Sequence, residues 1–177
     1  MALSDRTEEA AIDDQAVRLF DATGEATRTA ITLDELCRRE LLEPAIVKVD
    51  VHGSEGKVLM GMRETLARSV QYLLLELHPK EVVREYSGQI GWDDILGLLW
   101  SLGFHVFHVA GHRYRARDDL RRSLEDGFAY RRVEERTAEL LLFDRPLDVF
   151  LLCTRDPAIE RVLWPSIVDP GLAPHDW

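Results

Sequence analysis

The sequence predicts an α/β fold on a mostly parallel sheet. Short β-branched or apolar runs alternate with segments whose apolar residues recur at helical spacing. The order strand, helix, strand, helix, strand has the spacing of right-handed crossovers. With 177 residues, 46% of them hydrophobic, the chain suits one domain. A chain of that size buries about 70% of its unfolded surface.

Residues 4–25 are acidic and weakly amphipathic, with Ala10, Val17 and Phe20 as the available helix face and Gly24 as the stop. Residues 1–25 therefore read as an acidic, helical leader. Thr32-Leu-Asp-Glu35 is a capping box: Thr32 caps, and Glu35 reaches back to its amide. Leu33, Leu36, Cys37 and Leu41 then share a buried face, and Pro44 blocks continuation. Ala45-Ile-Val-Lys-Val-Asp-Val51 is apolar on both parities, the pattern of a strand covered on both faces. Lys48 is the exception, and it needs either a snorkelling path or a carboxylate partner.

Ser54 offers an N-cap to a helix running to about Arg68, with Val58, Leu59, Met62 and Leu66 inward. Gly56 and Gly61 in that helix imply close packing on the sheet. Residues 70–77 form the next strand, ended by His78-Pro79. Asp93 and Asp94 open a helix with Ile95, Leu98, Leu99 and Leu102 on one face and Gly103 as its stop. Residues 104–109 are the third strand. Residues 147–154 enter the sheet last, antiparallel. Between Arg113 and Glu139 eight arginines meet seven acids. The segment 111–146 reads first as a solvated helical excursion, and second as a cap whose arginines face an anionic substrate. The tail from 156 carries Pro157, Pro165, Pro170 and Pro174 and is irregular.

The net charge of −10 argues against nucleic acid as a partner, and no apolar run reaches membrane-span length. Cys37 and Cys153 fit no disulfide framework or metal spacing and read as reduced core residues of a cytoplasmic protein.

Ligands of open parallel sheets bind beyond the carboxyl ends of the strands. That rule selects Asp50-Val-His-Gly-Ser-Glu55 and Glu76-Leu-His-Pro79. Residues two apart share a face, so Asp50 pairs with His52 and Glu76 with His78. Gly53 suits a tight turn with positive φ. The amides opening the following helix could hold an anion. His105 and His108 belong to the third strand and carry no chemistry. No Gly-x-Ser-x-Gly, Gly-x-Gly-x-x-Gly or Walker-type loop occurs.

Thr32-Leu-Asp-Glu-Leu36, Ile46-Val-Lys-Val-Asp-Val-His-Gly-Ser-Glu55, Val58-Leu-Met-Gly61 and Leu74-Leu-Glu-Leu-His-Pro79 together resemble the FkbM family of S-adenosylmethionine-dependent methyltransferases. Residues 28–80 carry the resemblance. It implies a Rossmann-like methyltransferase sheet, mostly parallel, with 45–51 as its fourth strand, 70–78 as its fifth, and 104–109 with 147–154 as the closing pair. Asp50, Gly53 and Glu55 match the motif beside cofactor and substrate, and Glu76 matches the acid of the next strand. His52 stands where glutamate is usual; it can act as a base near neutral pH but lacks that negative charge.

The resemblance therefore implies S-adenosylmethionine bound at Asp50, Gly53 and Glu55. It implies catalysis by Asp50, His52 and Glu76, and a small-molecule or glycan hydroxyl acceptor near His78. The family's Gly-rich first-strand loop belongs upstream of Thr32, where 31 residues hold one glycine. The chain thus reads as the C-terminal portion of the domain, incomplete at its N-terminal half: leader 1–25, partial domain 26–155, tail 156–177. Two alternatives follow. One is a non-enzymatic subunit that completes its sheet with a second chain. The other, less favoured, is a metal-dependent hydrolase built on Asp50, His52, Glu76 and His78; no metal ligand is assigned.

Overall fold

The computed structural model describes residues 2–13, 18–21, 27–110, 129–134, 138 and 149–159. The described residues form two sheets and a set of helices. The first contains β1 (Ala2–Leu3), β2 (Glu8–Asp13), β3 (Arg18–Asp21) and β4 (Thr27–Ile31), in the order β1-β4-β2-β3. Where it is described, the expected leader helix is instead strand: β2 pairs antiparallel with β3 on one side and with β4 on the other. A weak helical stripe gives way because the strands satisfy their backbone groups on their neighbours, which a marginal isolated helix cannot match.

Helix α1 (Leu33–Glu40) starts where the sequence places it, with the Thr32 hydroxyl accepting from the Glu35 amide at 3.0 Å. The second half of the expected capping box is replaced, since the Glu35 carboxylate accepts from the Thr7 hydroxyl. Cys37 is buried as expected, but Leu41 is not. It closes the helix in the left-handed conformation (φ 52°) and is 89% exposed.

The second sheet has the order β5-β6-β9-β7-β8, from β5 (Ile46–Val49), β6 (Tyr72–Leu77), β7 (His105–Ala110), β8 (Ala129–Val133) and β9 (Val149–Thr154). Only β5 and β6 pair in parallel; the β6–β9, β9–β7 and β7–β8 pairings are antiparallel. The expected mostly parallel sheet is thus corrected to a mixed, mostly antiparallel one. The cause is topological. Strands β5, β6 and β7 point the same way, but the reversed β9 sits between β6 and β7 and breaks their parallel contact. The antiparallel last strand is as expected.

Between β5 and β6 the chain forms α2 (Glu55–Met60) and α3 (Arg63–Arg68), one expected helix broken at Gly61. Between β6 and β7 come α4 (Lys80–Tyr86), which the sequence pattern did not reveal, and α5 (Trp92–Ser101). Val58, Leu59, Met62 and Leu66 pack with Ile95 and Leu99 on the face made by Val49, Leu73, Leu75, Val106, Leu151 and Cys153. Each such aliphatic side chain stabilises the fold by about 1.5–3 kcal/mol relative to exposure. Cys153 lies in this core, and burial pushes its thiol pKa well up. Both cysteines are buried and free. Among the described residues no helix is long and apolar enough to cross a membrane.

Strand β5 is an edge strand, contrary to the expectation of two covered faces: Ile46 is 65% exposed, and Leu74 on the adjacent strand 44%. At the other edge, part of the arginine-rich segment is β8, with Arg131 buried beside His108. The cap reading of 111–146 otherwise falls outside the described residues, as does the tail beyond 159.

Gly56 and Gly61 do mark close packing, though not on the sheet. A Cβ on Gly56 would meet Ile90 and Ser87 within 2.8 Å, and one on Gly61 would overlap the Ser4 carbonyl. Gly61→Ala should therefore lower stability by about 1–3 kcal/mol through overpacking. Gly97→Ala should raise it by about 1 kcal/mol, because Gly97 is exposed in α5 with nothing within 4 Å of its Cβ position. Urea unfolding midpoints check both.

Candidate functional site

The site forms where the parallel pair β5–β6 ends. Register pairs Val49 with Leu75, so Asp50 leaves β5 beside Glu76, which stays in β6 opposite Phe150 of β9. The chain then turns sharply. His52 takes the left-handed conformation at φ 51° and Gly53 follows at φ 104°. Gly53 needs that freedom and also lacks room: a Cβ would lie 2.8 Å from Val82 and 2.9 Å from Tyr86 on α4.

Glu55, at the start of α2, is fully buried. Its Oε1 accepts from the Gly53 amide at 3.0 Å and lies 2.7 Å from Nδ1 of His78. We assign the shared proton to Nδ1, since a buried carboxylate is tolerated only with donors around it. Ser87 ties the same turn to the α4–α5 connection: its hydroxyl donates to the Gly53 carbonyl at 2.7 Å and accepts from the Gly56 amide at 3.0 Å. Trp92 donates through Nε1 to the His78 carbonyl at 2.8 Å. Neither Ser87 nor Trp92 carried a sequence signal beyond lying near a turn and a helix start.

Gly53 and Glu55, expected beside the cofactor, therefore have protein surroundings, and two of the amides expected to hold an anion are taken by Glu55 and Ser87. Ser54 occupies the N-cap position of α2 without a side-chain cap bond.

Four expected site residues do converge. The His52 and His78 rings lie 5.0 Å apart, centroid to centroid, tilted by 36°. Asp50, His52 and His78 each bring one donor atom within 4.8 Å of the others. Burial grades across the rim: His52 is exposed, Asp50 half-buried, and Glu76 and His78 buried. Lys48, the unusual strand lysine, donates to Asp50 Oδ2 at 3.0 Å. Partial burial pushes the Asp50 pKa up, but the Lys48 hydrogen bond and charge, a hydrogen bond from Glu76 and the nearby His52 outweigh it, and the carboxyl sits below its ordinary 3.8. His105 and His108 lie on β7; His105 is 3.3 Å from an Arg132 nitrogen.

The family model for the FkbM methyltransferase domain matches residues 3–106, more than half of the 177-residue chain. The chain belongs to the FkbM methyltransferase domain family. The match takes in both the N-terminal strands and the rim from Asp50 to His78, and it ends inside β7. No curated protein and no solved structure matches the chain.

A carboxyl group whose folded pKa is lowered stabilises the fold above its unfolded pKa, and that contribution is lost as pH falls through the folded value. Lys48→Met should raise the Asp50 pKa towards or above 3.8 and move the acid loss of stability to higher pH. A carbon-detected NMR titration of the Asp50 carboxyl reads the shift directly; no change on substitution would contradict the pairing.

Proposed function

We propose that this FkbM-family chain takes part in methyl transfer from S-adenosylmethionine to a hydroxyl of a small molecule or glycan, with the rim of Asp50, His52, Glu76 and His78 as its acceptor side. The observation that carries the reading is the convergence of Asp50, His52 and His78 at the end of the β5–β6 pair inside the matched region. The sheet supports it. β5, β6, β7 and the reversed β9 read as the fourth, fifth and closing strands of a Rossmann-like methyltransferase sheet.

The residues present fit a cationic donor at one point. Asp50 is half-exposed and is held ionised by Lys48, so it offers a negative charge at the strand end. Glu55, fully buried and committed to His78, does not. When bound, S-adenosylmethionine supplies an electrophilic methyl group, whose bond pair returns to sulfur on transfer. The chain's own task is then to orient the acceptor hydroxyl and remove its proton. His52 is the exposed imidazole at the rim and the best-suited base near neutral pH. His78, fixed through Nδ1 and through its carbonyl, orients the acceptor.

A second reading, in which another chain extends the sheet, is favoured by one observation: edge strand β5 carries the exposed Ile46, next to Leu74. Two measurements on the same protein separate the readings. Calorimetry with S-adenosylmethionine and S-adenosylhomocysteine should show saturable binding that weakens in Asp50→Asn. Light scattering after size exclusion should give a monomer if the chain acts alone. No cofactor binding together with a dimer would favour the second reading.

A further inference from the structure

We propose that the rim is a binding site for one divalent first-row transition cation, with Asp50, His52 and His78 as its protein ligands. One carboxylate oxygen and two imidazole nitrogens lie within 4.8 Å of one another. Two histidines and one carboxylate, with the remaining positions open, form a donor set for zinc-class and iron-class ions. Calcium and magnesium prefer all-oxygen shells. Donors bind such ions at about 2.0–2.2 Å, so modest side-chain rotation closes the set, and His52 is exposed.

The surroundings are those of a metal site rather than of a chance surface cluster. Metal-bound histidines commonly direct their second ring nitrogen to a carboxylate. Here buried Glu55 lies 2.7 Å from Nδ1 of His78, an arrangement that presents Nε2 as the ligand atom. The second Glu55 oxygen, fully buried, has no hydrogen-bond partner among the described residues. A cation on the far nitrogen of the His78 ring would offset the cost of that buried negative charge. Lys48 and Glu76 hold the Asp50 carboxylate in place. The left-handed backbone at His52 turns the chain so that a third donor reaches this point. Histidine tolerates that conformation better than most residues.

What the cation does there rests on the methyl-transfer reading: it would bind the acceptor oxygen and ease loss of its proton, taking over in the loaded site the part that His52 as base and Asp50 as free charge play in the metal-free rim. Cation binding itself does not depend on that reading, and it is measured without methyl donor or acceptor. A metal titration that fails thus overturns only the site, and a cofactor titration that fails overturns only the transfer.

The test is titration of the metal-stripped full chain with Co2+, read by its visible absorption, followed by competition with Zn2+ and Mg2+. We expect one Co2+ per chain, displaced by Zn2+ and not by Mg2+. Affinity should fall at least about tenfold in His52→Asn and in Asp50→Asn, and about 10–100-fold in Glu55→Gln, where no ligand is removed and the support of His78 is altered. His52→Asn keeps a residue that accepts positive φ at an exposed position, so the fold is preserved and circular dichroism should be unchanged. Absence of saturable absorption, or equal affinity in wild type, His52→Asn and Asp50→Asn, would overturn the site.

Discussion

A single buried carboxylate organises the functional end of this protein. Glu55 is shielded from water, yet its Oε1 draws together the Gly53 amide of one strand–helix turn and the His78 imidazole at the end of the next strand. Burying a charge without donors would cost several kcal/mol, so these two contacts are a condition of the local fold and not an addition to it. They also decide what the rim can do. With Nδ1 of His78 committed inward, the other face of the ring is turned towards Asp50 and His52.

The rest of the architecture serves that junction. The parallel pairing of β5 with β6 puts Asp50 beside Glu76, and packing of α4 against Gly53 fixes the turn that carries His52. Ser87 and Trp92 add hydrogen bonds from the α4–α5 side, so the rim is braced by elements that contribute no donor to it. On the opposite side Lys48 keeps Asp50 charged. The rim is therefore rigid where it is buried and open at His52, as suits a site that must admit a ligand.

Much of this was legible in the sequence, for identifiable reasons. Thr32, the apolar stripe from Val58 to Leu66 and the β-branched run at 46–49 are local signals; the first and last formed the expected helix start and strand, and the stripe is buried as expected but on two helices. The two acid–x–His spacings placed Asp50, His52, Glu76 and His78 at adjacent strand ends, and parallel register brought them together. Features set by distant partners were not legible. Residues 8–13 and 18–21 chose paired strands over a weak helix because β4 pairs with β2. The insertion of β9 made the sheet mixed, and no local pattern encodes strand order. Gly53 and Glu55 bear the family motif, but their roles depend on Val82, Tyr86 and His78, which lie more than twenty residues away in the chain. Leu41 kept its place on the helical wheel, yet it sits at the left-handed cap and faces solvent.

The ring of His78 is where these arguments meet. Long-range proton–nitrogen NMR correlation at about pH 8 reports which imidazole nitrogen carries the proton. A Glu55-bound ring is the Nδ1–H tautomer in the wild type, and it loses that preference in Glu55→Gln. An Nε2–H ring in the wild type, or a tautomer indifferent to Glu55, would contradict the account.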